Sequence, residues 1–143
     1  MKLLLDTNVI IDVISKREGH AYSLIVMQYC EHYANGMVLA SAITDIIYIL
    51  RKFVAPETVR DSLQTLLKIV DIVDVTKNDI HAAFASPLRD YEDALQVVCA
   101  VRMEVDYIIT NNTRDFRDSS VAVMTPQEFS VLIELGSRNP RHE

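Results

Sequence analysis

The chain has 143 residues, half of them apolar, and carries 14 basic against 20 acidic residues for a net charge of −6. That length fits one domain with a sizeable core. The acidic balance excludes a protein that coats nucleic acid through a broad basic face, but not an enzyme that touches it through metal ions and a few local arginines. No apolar run approaches the ~18 residues of a membrane span, and the apolar opening stops at Asp6 without a small-residue cleavage pattern, so a cytoplasmic protein is expected.

Short apolar runs alternate with longer helical patterns, which predicts an α/β domain around a parallel sheet. Lys2–Leu5 reads as a buried first strand ending at Asp6, followed by a helix over Asn8–Ser15. His20–Ala34 reads as a second helix stopped near Asn35-Gly36, and Met37–Ala40 as a strand. Helices are predicted over Thr44–Val54 and, opened by Pro56 in its first turn, to about Ile69. Ile72–Val75 is a strand, Lys77–Ala85 a short helix ended by Ser86-Pro87, and Tyr91–Met103 a helix. Strands at Tyr107–Thr110 and Val121–Met124 follow, then a closing helix from Pro126 to about Leu135 and a polar, frayed tail from about Ser137. Residues 1–143 thus form a single domain. Cys30 and Cys99 lie apart in apolar helical patterns with no histidine pair nearby, which argues against zinc and for buried free thiols.

Ligands of open parallel sheets gather beyond the carboxyl ends of the strands. Asp6 follows the first strand directly, and the segment Thr110–Phe116, carrying Asp115, follows the Tyr107–Thr110 strand. Asp45 and Asp93 sit in apolar helical surroundings, each near a predicted helix start where the dipole favours a carboxylate. Each acid also has a plainer reading. Asp6 and Asp45 suit helix N-caps, Asp90 and Asp93 a local capping box, and Asp115 a turn. Taken together they suggest a cluster. Two carboxylates about 5 Å apart repel by roughly 3 kcal/mol at an effective dielectric near 20, so a cluster takes up protons or binds a cation. Oxygen-only ligands point to Mg²⁺ or Mn²⁺, which suits phosphodiester hydrolysis.

Four segments resemble, in order, the motifs of PIN domains: Leu4-Leu5-Asp6-Thr7-Asn8-Val9, Thr44-Asp45-Ile46-Ile47-Tyr48, Asp90-Tyr91-Glu92-Asp93-Ala94 and Asp106 to Phe116. Thr125-Pro126-Gln127-Glu128-Phe129 matches a common start of the closing helix. The resemblance implies a three-layer α/β/α sandwich with a central, mostly parallel sheet of about five strands. It also implies cleavage of single-stranded RNA with Mg²⁺ or Mn²⁺. Asp6, Asp45, Asp93 and Asp115 would be the catalytic and metal-binding acids. Thr7, Asn8, Thr110 and Asn112 would orient carboxylates or water, and Arg114 would contact RNA. Two positions depart from the family pattern. Many PIN domains carry Glu where Asp45 stands and Asp near Asn112, which leaves one or two metal ions open.

PIN proteins of this length often resemble toxins of VapBC-type pairs, implying a small antitoxin partner and a homodimer. Asp6-Thr7-Asn8 lacks the second aspartate of a dehalogenase-like phosphatase, and no receiver-like phosphoacceptor is evident. The alternative is a non-catalytic RNA- or protein-binding module on a PIN scaffold. Tyr48 and Tyr91 are candidates for stacking on bases, with core or dimer packing the plainer role for Tyr48. Arg51, Lys52 and Arg117 are expected at the solvated surface.

Overall fold

The computed structural model describes residues 1–137; the expected frayed tail beyond Ser137 lies outside them. The first strand, β1 (Lys2–Leu5), is followed without a loop by α1 (Thr7–Ser15), and then by α2 (His20–His32). Next come β2 (Asn35–Leu39), α3 (Ala40–Leu50), α4 (Pro56–Leu66), β3 (Asp71–Val73), α5 (Lys77–Phe84) and α6 (Tyr91–Arg102). The chain closes with β4 (Tyr107–Ile109), a 3₁₀ turn over Thr113–Phe116, β5 (Ala122–Met124) and α7 (Pro126–Ser137).

The five strands form one sheet in the order β3-β2-β1-β4-β5, with every pairing parallel. The expected α/β sandwich is thus observed. Leu3, Leu4 and Leu5 are all buried, without the alternation of a half-exposed strand. A central strand buried on both faces requires helices on both sides of the sheet. One helical group packs α2 against α1 and α7 and α1 against α3; another packs α5 against α6. Tyr29 and Phe129 meet edge to face, 5.4 Å between centroids, where α7 closes on α2. The outer strands β3 and β5 are three residues each.

At the amino end of the sheet, Gly36 is required by close approach. A Cβ there would stand 2.7 Å from the Cys30 sulfur and 2.9 Å from a Val70 methyl. Cys30 and Cys99 are free and buried as expected, and burial pushes each thiol up to about 11. Among the described residues no helix is long and apolar enough to cross a membrane.

Two expectations about helix ends are corrected. The helix carrying Asp45 starts at Ala40, directly after β2, with Leu39 as a cap that offers no side-chain bond. Asp45 therefore stands in the second turn, and neither capping nor the helix dipole explains it. Burial of Ala42, Ile46 and Leu50 along one face sets this helix. In α6, Asp90 does cap the helix, accepting from the Asp93 amide at 3.0 Å. The reciprocal bond from Asp93 is not made, so its carboxyl is left to face elsewhere. The complete capping box lies instead at the start of α5, between Thr76 and Asp79.

Candidate functional site

The strand order reverses direction at β1, the switch point beyond whose carboxyl end a parallel sheet opens a crevice. Asp6 leaves β1 at that point, its amide still bonded to the Ile109 carbonyl of β4 at 2.9 Å. The Asp6 carboxylate is buried and accepts four hydrogen bonds. The Thr7 amide (2.7 Å) and Gln96 Nε2 (2.6 Å) reach Oδ1; the Thr110 hydroxyl (2.7 Å) and Asn8 Nδ2 (3.1 Å) reach Oδ2. Such a set fixes both the rotamer and the plane of the carboxylate.

The supporting groups are themselves tied down. Asn8 Oδ1 accepts from the Asn111 amide at 3.1 Å, and the Asn111 side chain donates to buried Asp12 on α1. The Asn112 amide donates to the Thr110 hydroxyl at 3.1 Å. The loop after β4 is thereby pinned to α1 at Asn8 and Asp12. Thr7 acts here through its backbone; its hydroxyl is buried without a partner among the described residues.

Around Asp6 the other acids gather. Asp93 is pushed up to about 7 by burial first, and then by the charges of Asp90, Asp6, Asp115 and Glu92. Glu92 is also raised to about 7. Burial again leads, followed by a hydrogen bond with Asp45 and the charges of Asp45, Asp6 and Asp90. Asp6 and Asp115 thus act on Asp93, and Asp6 and Asp45 on Glu92, although they are distant in sequence. Two residues join them that sequence reasoning missed. Glu92 reaches Asp45, and Gln96 lies one helical turn beyond Asp93, on the face that neighbours three apart share. The available signal for Gln96 was a lone amide in the apolar run Ala94–Ala100.

Arg114 is exposed beside Asp115 on the 3₁₀ turn. Tyr48 is not core; it is 64% exposed, with the Arg51 guanidinium 3.6 Å from its ring centroid.

None of these carboxylates forms an ion pair among the described residues, whose salt bridges lie elsewhere. Nor do three acids, cysteines or histidines among them already enclose a metal position. The donor chemistry still fits a hard divalent cation. The cluster is oxygen-only, lacks an internal counter-charge, and holds protons near neutrality in its stead.

A pH dependence of stability follows. Carboxyls held up to about 7 favour the folded state fully below the unfolded value near 4 and lose that contribution as the pH rises to about 7. In urea titrations of metal-free protein, the stability difference between wild type and Asp93→Asn should grow in the variant's favour across that window. A difference independent of pH would show that the acids do not interact.

Residues 2–114 match the PIN domain. The chain belongs to the PIN-domain family. Solved structures share its fold. VapBC2 from Rickettsia felis, bound to a promoter DNA fragment, has a TM-score of 0.70 at 16% identity, covering 87% of this chain and 98% of that one. A toxin–antitoxin complex from Klebsiella pneumoniae gives 0.67 at 20% identity, covering 87% and 97%. The sarcin-ricin loop cleaving toxin VapC20 of Mycobacterium tuberculosis gives 0.62 at 10% identity, covering 74% and 86%. Among curated proteins, none matches this PIN-domain sequence significantly.

Proposed function

We propose that this PIN domain is a metal-dependent endoribonuclease that hydrolyses phosphodiester bonds of single-stranded RNA, acting as the toxin of a toxin–antitoxin pair. The observation that carries this reading is the carboxyl cluster at the switch point of the sheet, with Asp6 buried and Asp45 and Asp93 half-buried. It has no internal cation, and two of its members hold protons up to about 7. Asp6, Asp45 and Asp93 would hold Mg²⁺ or Mn²⁺, with Glu92 and Asp115 completing the acidic rim. Such an ion supplies Lewis acidity that activates water and steadies a leaving oxygen.

The chain's own part is orientation. Gln96, Thr110, Asn8 and the Thr7 amide hold Asp6 in one pose, and Asn112 steadies Thr110. Arg114, exposed beside Asp115, would contact RNA. The toxin role draws support from the toxin–antitoxin complexes that share the fold. It also draws support from exposed Ile47, Tyr48, Ile49 and Phe53, an apolar patch of the kind that marks a protein partner. An antitoxin or a second copy of the chain would cover it.

The test is to add Mn²⁺ and unstructured RNA. At a concentration about 100 times its dissociation constant, a bound ion should raise stability by about 2.7 kcal/mol, and wild type should cleave the RNA. Stabilisation and cleavage should both be absent with EDTA. Neither effect across varied RNAs would leave the chain a binding module on a PIN scaffold.

A further inference from the structure

The turn between β4 and β5 sorts its side chains onto three sides. Its backbone bonds step by three residues: the Asp115 amide donates to the Asn112 carbonyl (3.1 Å), Arg117 to Arg114 (3.3 Å) and Ser119 to Phe116 (2.9 Å). Arg117 keeps helical backbone angles just past the end of the 3₁₀ turn. Side chains three apart eclipse one another in this geometry. Arg114 and Arg117 therefore share one side and Asp115 takes the next. Phe116, 3% exposed, fills the third, against the core.

Both arginines are exposed. Neither forms an ion pair among the described residues, although Asp115 and Asp118 are their sequence neighbours. Their Cα atoms lie about 6 Å apart along the turn, at ~2.0 Å of rise per residue. Two guanidiniums side by side without a counter-charge suit a ligand that carries several negative charges in succession.

The anchors of the turn set its place. Asn112, just before it, donates its amide to the Thr110 hydroxyl (3.1 Å), and that hydroxyl donates to Asp6 (2.7 Å). Asp115, within the turn, stands near enough to Asp93 for its charge to act there. The arginine side is thus a third of a turn around from the side that meets the carboxyl cluster. A strand with one phosphate at the cluster is repelled there by the acids, and needs cations next to them. Guanidiniums supply these, through paired N–H bonds to phosphate oxygens. Such contacts fix the strand without reading its bases.

We propose that Arg114 and Arg117 form a two-point clamp on the RNA backbone, each holding one phosphate that flanks the bond to be cut. The proposal takes its ligand, RNA, from the ribonuclease reading above and adds Arg117 to it. The clamp acts without the metal and without regard to base sequence.

The experiment is fluorescence anisotropy of a labelled single-stranded oligoribonucleotide in EDTA across a salt series, followed by cleavage with Mn²⁺. Arg114→Ala and Arg117→Ala should each weaken binding about fivefold at about 0.1 M salt. Each should also make the plot of log affinity against log salt shallower by about 0.7, the contribution of one phosphate on a single strand. Both changes should be alike for RNAs of unrelated sequence. Arg117→Lys keeps the charge and should restore the slope. Exposed Arg60 lies on α4, which leads into β3 at the sheet edge opposite β5, so Arg60→Ala should leave the slope unchanged. Melting of all these variants should match wild type. An unmoved slope in the Arg114 and Arg117 variants, an equal change in Arg60→Ala, or no binding by wild type overturns the clamp, and cleavage by wild type would still support the ribonuclease reading. The expected slope changes with no cleavage by wild type uphold the clamp and overturn the ribonuclease reading.

Discussion

Asparagine at position 6 should leave a folded protein whose RNA cleavage falls by about 1,000-fold or more, on the order of 4 kcal/mol of lost transition-state stabilisation. The reason lies in the four donors that converge on Asp6. They position one carboxylate at the switch point of the sheet, where its charge would hold the proposed cation. Asparagine keeps the shape and the oxygen that accepts from the Thr7 amide and Gln96, the Thr110 hydroxyl can turn to accept from the new amide, and only the 3.1 Å bond from Asn8 is lost. The fold therefore survives while the charge is lost. Relief of repulsion with Asp93 and Glu92 should even favour the metal-free form. The measurement is cleavage rate beside a Mn²⁺ melting series. Asp6→Asn should lose both the turnover and the Mn²⁺-induced rise in melting temperature. Retention of either would separate Asp6 from the metal.

The largest expected effect on stability lies away from that site. Asp79 is 3% exposed, and its carboxylate takes a two-pronged bond from Arg102 while accepting the Thr76 amide at 2.9 Å. Burial alone would raise Asp79, but the bonds from Arg102 and Thr76, with the Arg102 charge, outweigh it and hold the group down at about 2. Asp79→Asn removes the charge and one acceptor, leaving Arg102 without its ion-pair partner. It should cost about 3 kcal/mol, the low end for a broken buried pair because Arg102 is partly open to water. The pH dependence runs opposite to that of the acidic cluster. A depressed carboxyl stabilises the fold above its unfolded value near 4, and that contribution disappears as the pH falls to about 2. Urea midpoints of wild type should therefore drop over that range, and those of Asp79→Asn should drop less. Equal slopes would assign the pair to the surface.

Much of this architecture was readable in the residues. Leu3-Leu4-Leu5 is uninterrupted and apolar, which only a central strand explains, and Tyr107–Ile109 has the same character. Boundaries set by tertiary burial were harder. Leu39 is no cap residue, so the helix seemed to begin at Thr44, whereas the packing of Ala42 and Ile46 starts it four residues earlier. Glu92 carries no local signal for a partner, and its hydrogen bond with Asp45 depends on how α3 approaches α6. Gln96 and Asp6 are 90 residues apart, and no local pattern foretells their bond. The same is true of Asp79 and Arg102, whose partnership depends on how α5 and α6 cross.

The brevity of β3 and β5 restricts how other chains can engage this one. Three-residue borders present too few free amides and carbonyls to template an added strand. On β3 the exposed Asp71 discourages such an approach further. Lateral extension into ribbons or fibrils is accordingly suppressed, and recognition is diverted to the helical exterior, where side chains rather than backbone decide what is admitted.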